Sequence, residues 1–438
     1  MAGLGHWCGS LAVGRASALS AFLPSMRVAA NDGSPPNSVV GSQRSEMLKA
    51  AHFNQVCSRT GSSVVHARNA FFSNVGFATI ELGWRQSPRT LQAPNQEARV
   101  SSADHGNFEL ENVTLQRGIT LPRAKVAYKT YGRLAEDKSN VILYPTSYGA
   151  QHHDTEWLIG PGRVLDPTEW FIVIPNMFGN GLSSSPSNLT APFGSDRYPT
   201  FTHWDNVHAQ RRMLEAEFGI ERLAMIYGWS MGAQQALHWG AIFPDQVDRI
   251  CAVCGSARTS VHNKVFLEGV RATLTGDPNW RGDHFAAHPV RGLRAMGRVY
   301  AGWAMSQAFY REKLYEQVGF SSLEDFLVRS WEANFLRRDA HDLLASLETW
   351  MLSDISDNEI YEGDLPAALR AITARTIVMP SRTDLYFTPE DSGIETAMMP
   401  NAEFRPIESI WGHRAGNPVL NPDDEATLRQ AVSDLLAG

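Results

Sequence analysis

A chain of 438 residues with 43% hydrophobic content has ample material for a sizeable core, as one large domain or as a domain with an insertion. Its formal charge of −7 leaves no basic surface for nucleic acid, and no apolar run reaches the roughly 20 residues of a membrane span. Four cysteines over this length indicate no disulfide framework, so a soluble protein without nucleic-acid or membrane partners is expected.

Residues 1–104 differ from the rest. The first hundred carry nine Lys or Arg against four acids, which reads either as a mitochondrial transit segment or as a disordered or wrongly joined extension. The expected location is cytoplasmic, or mitochondrial if the leader is a genuine transit peptide. Order should begin near Phe108, where Phe108-Glu-Leu-Glu-Asn-Val-Thr-Leu115 alternates as an antiparallel strand does. Val141-Ile-Leu-Tyr144 reads as the next strand. His152-His-Asp154 offers metal-ligand types, yet neighbours on an extended segment diverge and no HExxH accompanies them, so no metal is expected. Gly179-Asn-Gly-Leu-Ser-Ser184 lacks the third glycine of a dinucleotide turn and continues into a loop rather than a helix, which argues against a bound nucleotide.

The informative stretch comes next. Leu223-Ala-Met-Ile-Tyr227 is a strand, Gly228-Trp-Ser-Met-Gly232 a tight turn, and Ala233 to Phe243 a helix that ends at Pro244. A serine lifted on such a turn needs glycine two residues to either side, because a Cβ there would meet the neighbouring strand or helix. Ala233, Ala236, Leu237, Gly240 and Ala241 form one small apolar face suited to packing on a sheet. Arg249-Ile-Cys-Ala-Val-Cys254 is the following strand, so the order is that of a parallel α/β sheet. Its Cys-x-x-Cys lies in a buried strand with no second pair and reads as core thiols.

From Thr259 to Asp364 helical periodicity replaces the strand pattern. In Ser322 to Trp331, Leu323, Phe326, Leu327, Trp331 and then Phe335 share one face after a capping serine pair, which predicts a helical cap. The strand Thr376-Ile-Val-Met-Pro380 resumes the core, followed by Ser381-Arg-Thr-Asp384 and the strand-like Glu403-Phe-Arg-Pro-Ile407. Enzymes with this elbow carry nucleophile, acid and base in the chain order Ser, Asp or Glu, His. Of the six histidines after Ser230, His238 lies on the elbow helix and His262, His284, His288 and His341 in the cap, which leaves His413 as base. Asp384 is the orienting acid, while Glu390 and Asp391 follow Pro389 as a helix start. The fold class is α/β, an α/β-hydrolase fold with a mostly parallel central sheet and an inserted helical cap. The core spans 105–258 and 365–438, and the cap 259–364.

Asn140 to about Asp277 resembles the homoserine O-acetyltransferase family. The resemblance rests on Leu158-Ile-Gly-Pro-Gly162, Phe171-Ile-Val-Ile-Pro-Asn176, Gly219-Ile-Glu-Arg-Leu223, Gly228-Trp-Ser-Met-Gly-Ala-Gln-Gln235 and His262-Asn263. More weakly it reaches the C-terminus. It implies acyl transfer through an acyl-serine, with no bound cofactor and with acetyl-CoA or another acyl-CoA as co-substrate. It also implies an oxyanion hole from the backbone N–H groups of Met231 and Tyr148. The family usually reads His-Ala-Leu-Thr-Gly in the second of these loops, where this chain reads Thr146-Ser-Tyr-Gly-Ala150.

A second departure follows the base. The homoserine enzymes usually place an aspartate there, suited to an ammonium group, and this chain has Arg414. A carboxylate-bearing or neutral acceptor then fits better than homoserine. Arg298 falls near the family's arginine for the substrate carboxylate, with a solvated cap arginine as the competing reading. The expected activity is O-acyl transfer to a small-molecule hydroxyl. A carboxylic-ester hydrolase of the same fold is the rival, and a non-catalytic binding protein the third reading. A homodimer is left open.

Overall fold

The computed structural model describes residues 104–194 and 197–437, so all but the last residue of the leader expected over 1–104 lies outside the described residues. Eight strands form one sheet: β1 (Gly106–Thr114), β2 (Thr120–Tyr131), β3 (Val141–Leu143), β4 (Phe171–Pro175), β5 (Met225–Trp229), β6 (Arg249–Val253), β7 (Arg375–Met379) and β8 (Ala402–Phe404). Their spatial order is β1-β2-β4-β3-β5-β6-β7-β8. The pairs β1–β2 and β2–β4 are antiparallel and the remaining five parallel.

The strand sequences account for this layout. β3 and β4 are buried at every residue, as parallel strands covered on both faces must be. β1 alternates because only one of its faces is covered, with Leu110 buried between exposed Glu109 and Glu111. Regular pairing of β8 covers Ala402–Phe404, and contact with the β7 segment runs on past Pro406, whose missing amide falls on the open edge: the Arg405 and Ile407 amides donate to Val378 O and Pro380 O.

Helix α1 (His203–Phe218) follows β4, starts from a capping box between Thr202 and Asp205, and stops at Gly219 in the left-handed conformation. Helix α2 (Met231–Ile242) follows β5 and is buried at all twelve residues. The single apolar face expected from its alanines is therefore an underestimate, because α2 meets β5 and β6 on one side and α1 on another. At Gly240 the contact is so close that a Cβ would lie 2.6 Å from Ile250.

Between β6 and β7 the chain forms α3 (Val261–Thr275), α4 (Val290–Ala304), α5 (Gln307–Arg311), α6 (Leu314–Gln317), α7 (Leu323–Phe326), α8 (Ala333–Leu336), α9 (Ala340–Met351) and α10 (Leu365–Ala371). Ser322 caps α7, accepting from the Asp325 amide. The helix expected to run on from there is interrupted by a π-helical turn over Leu327–Glu332. Phe326 and Phe335 are buried on either side of the turn, with Glu332 buried between them, whereas Leu323, the first residue of α7, lies at its solvent-facing end and is 44% exposed. The turn is packed directly on α4, where a Cβ at Gly297 would lie 2.9 Å from the Trp331 backbone. After β7 come α11 (Pro389–Thr396), whose first turn holds Glu390 and Asp391, and α12 (Pro422–Ala437). No helix among the described residues is long and apolar enough to cross a membrane.

Candidate active site

Ser230 stands between the end of β5 and the start of α2 at φ 58 and ψ −125, a region that side-chain-bearing residues rarely occupy. Such a residue costs on the order of 1–3 kcal/mol and persists only where its surroundings hold it. Here the Ser230 amide donates to Val253 O at 2.9 Å, and its carbonyl accepts from Ala233 and Gln234. The two flanking glycines make the turn fit. A Cβ at Gly228 would lie 2.3 Å from the Gly232 carbonyl oxygen, and one at Gly232 would lie 2.7 Å from that of Pro145.

Asp384 sits five residues beyond β7, and His413 in a short 3₁₀ turn, Gly412–Gly416. His413 Nδ1 lies 2.7 Å from Asp384 Oδ2, and both side chains are buried. The other carboxylate oxygen accepts the amides of Tyr386 and Phe387, each at 3.1 Å, so the carboxylate is fixed in orientation. Thr383 ties the two loops together: its hydroxyl donates to Ser409 O and accepts from the Gly412 amide. Gly412 must be glycine, since it has φ 62 and a Cβ would lie 2.7 Å from Ala304 O. The imidazole packs against Trp229, Tyr386 and Phe387, with ring centroids 5.0, 4.5 and 5.6 Å away. Cys254 Sγ lies within 4.8 Å of ligand atoms of this pair, but burial pushes its thiol well up and keeps it neutral.

Among the described residues the Met231 and Tyr148 amides have no protein acceptor. The first is one of the orphan donors that every helix N-terminus leaves. The loop that carries the second is held to the elbow by side chains. Ser147 Oγ donates to Trp229 O, Thr146 Oγ1 accepts from the Met177 amide, and Gln235 on α2 donates to Thr146 O. Tyr148 itself stacks on Tyr300 and donates its hydroxyl to Leu343 O at 3.1 Å. Ser147→Ala should lower kcat on an acetate ester by about tenfold to hundredfold with little change in KM, since small misplacements cost this much. A fall in Tm with kcat unaltered would make the hydrogen bond purely structural.

Ser230, His413, Tyr148 and Arg414 line one cavity of about 270 Å³, walled also by Tyr300, Trp331, Phe335 and Tyr386. Arg338 and Arg337 reach its edge, both paired with Asp154. Arg298 does not reach the cavity. It lies on α4 with its guanidinium bound to the buried carboxylate of Glu332 and to Glu324, which corrects the substrate-contact expectation: the residue clamps the π-turn onto α4.

His152-His-Asp154 is a 3₁₀ turn rather than an extended segment, and Asp154 is taken by the two arginines. A different trio, Asp104, His105 and His152, brings its ligand atoms within 4.8 Å of one another. Asn176 Nδ2 faces His152 Nδ1, because Asn176 Oδ1 already accepts from His152 N and Asn180. That leaves the proton on Nε2, aimed at Asp104, where a metal would need a lone pair.

Ser147, Thr383 and Gln235 were not singled out from the sequence. Their signal is weak because each acts through a backbone group far away in the chain. Gln235 does fall inside the resemblance phrase around the elbow.

Comparison with known proteins agrees with this architecture. The family model described as the α/β-hydrolase fold matches residues 149–358. An ethyl acetate hydrolase of Pseudomonas veronii is 37% identical over 316 residues, 71% of this chain and 90% of the relative. A homoserine O-acetyltransferase of Chloroherpeton thalassium is 30% identical over 315 residues, 69% of this chain and 82% of the relative. The solved structure of an acetylester hydrolase from Corynebacterium glutamicum superposes with a TM-score of 0.74 at 33% identity, covering 76% of this chain and 96% of the other. The elbow, the sheet order and these relatives together place the chain in the α/β-hydrolase superfamily, in company with esterases and homoserine acyltransferases.

Proposed function

We propose that the protein is a serine carboxylic-ester hydrolase acting on short-chain esters, with Ser230 as nucleophile, His413 as base and Asp384 as orienting acid. The observation that carries this reading is the buried Asp384–His413 pair opening onto the same cavity as a serine held at positive φ. His413 takes the Ser230 proton as the serine oxygen bonds to the ester carbonyl carbon. The oxyanion faces the free amides of Met231 and Tyr148. Collapse breaks the bond to the alcohol oxygen, which leaves with the proton from His413. Water then repeats the sequence on the acyl-serine, releasing the carboxylic acid and restoring the serine.

Hydrolysis is preferred here over the acyl transfer expected from the sequence resemblance. The relatives named for ester hydrolysis are the more similar, at 36% and 37% identity against 32% and 30% for homoserine acyltransferases. In addition, a positive side chain follows the base where an amino-acid acceptor would bring an ammonium group. The second reading, transfer from acetyl-CoA to a small hydroxyl compound, uses the same serine and differs only in what attacks the acyl-serine.

Product partition separates the two. The enzyme is mixed with p-nitrophenyl acetate or with acetyl-CoA, each with and without homoserine, and quenched samples are read by intact mass and product analysis. A transient acetyl adduct from the ester, with acetate as the only acyl product, is the expected outcome. Rapid formation of O-acetylhomoserine from acetyl-CoA would overturn hydrolysis in favour of transfer.

A further inference from the structure

Arg414 is the unexplained charge of this molecule. It follows the base directly and lines two cavities at once, the Ser230 cavity and a second of about 270 Å³ walled by Met305, Phe309, Phe320, Phe326, Trp411 and Leu420. It therefore stands at the junction between the reacting serine and an apolar chamber. Other arginines have carboxylate partners: Arg337 and Arg338 share the single carboxylate of Asp154 at the cavity edge, and Arg298, away from the cavity, binds Glu324 and Glu332. Among the described residues no carboxylate pairs with Arg414, and its neighbour of note is the Trp229 ring, with the guanidinium carbon 5.8 Å from the centroid.

A guanidinium does not escape this situation by losing its proton. Arg414 is partly buried, and its guanidinium keeps its charge where it faces the cavities, with the Trp229 ring offsetting part of the lost hydration. Burial lowers its proton affinity, which is the signature of the same lost hydration. The phenols around it supply no anion, since burial pushes Tyr148, Tyr300 and Tyr386 far up. Asp384 is occupied by His413 and two amides. Trp331 and Asn417 border both cavities as Arg414 does, and each holds a buried polar atom without a protein partner, Nε1 and Oδ1 respectively. Of these two atoms only Trp331 Nε1, a donor, suits an anion; Asn417 Oδ1 is an acceptor and does not.

We propose that Arg414 is a specificity-determining residue that receives a carboxylate carried by the ester substrate. The inference rests on the serine-hydrolase reading and adds the substrate class to it, anionic esters over neutral ones. The carboxylate has two sources, the alcohol half or the acyl half of the ester, and each is represented in the test.

Two matched pairs differ only in charge: 3-acetoxypropanoate against 3-acetoxypropanamide, and phenyl hydrogen succinate against phenyl succinamate. The full-length wild type should favour the acid over the amide by about tenfold or more in kcat/KM in one pair, chiefly through KM, as a charge-assisted hydrogen bond implies. The favoured pair identifies the half that carries the charge. Arg414→Met should bring that ratio to near one, and Arg414→Lys should restore part of it. No preference for acid in either pair, measured on the wild type alone, overturns the proposal, as does a preference that survives in Arg414→Met. Failure of the serine reading shows separately, as turnover of phenyl acetate retained by Ser230→Ala.

Discussion

Ser230→Ala is expected to lower kcat/KM on a neutral acetate ester by a thousandfold or more and to abolish any acetyl adduct on the enzyme. The substitution removes the atom that bonds to the acyl carbon and leaves the rest of the site in place. Alanine keeps the Cβ, so the positive φ at position 230 persists and Tm should stay where it is. Residual rate then comes from the Met231 and Tyr148 amides polarising the ester for attack by water. Because triad members act as a unit, the double variant with His413→Ala should be scarcely slower than Ser230→Ala alone. A variant that retains more than about a tenth of the activity would sink the assignment of Ser230 as nucleophile.

Asp384→Asn is the second large effect, with kcat expected to fall by on the order of a thousandfold to ten-thousandfold while the fold is preserved. The reasoning follows from the two roles of the carboxylate. One oxygen accepts the Tyr386 and Phe387 amides, so an asparagine must keep its own oxygen there. Its NH₂ then faces His413 Nδ1, from which the carboxylate now accepts a hydrogen bond at 2.7 Å. Two donors cannot face each other, so Nδ1 loses its proton and Nε2 carries it instead. An imidazole protonated on Nε2 has no lone pair for the Ser230 proton. A loss below tenfold would move the acid elsewhere, to Asp391 or Glu390 at the start of α11.

Much of this architecture was legible along the chain because its signals are local. Gly228 and Gly232 mark the elbow through sterics that operate within five residues, and the structure places carbonyl oxygens 2.3 and 2.7 Å from where their Cβ atoms would be. The buried strands announce themselves by continuous apolar runs, since both faces of a parallel sheet are covered. Asp384 and His413 were found by chain order and elimination, and they meet at 2.7 Å. Where the periodicity argument failed, at Leu323, the residue opens the short helix α7 at its solvent-facing end, and the π-turn that follows α7 breaks the long helix that the periodicity predicts.

The sequence by itself determined the fold class and pointed to the residues that the fold gathers, Ser230 and His413 on one cavity with Asp384 against the imidazole. These follow from periodicity, from glycine sterics and from composition, all of which are properties of the chain before it folds. Only the tertiary structure decided which arginines are free to meet a ligand. Arg298 and Arg414 are equivalent as letters in a sequence, yet one is clamped between Glu324 and Glu332 on the cap and the other faces two cavities and, among the described residues, pairs with no carboxylate. The physical reason is that charge compensation is set by distance in space. The acids that neutralise Arg298 lie 26 and 34 residues along the chain, and the absence of a partner for Arg414 is a property of everything packed around it.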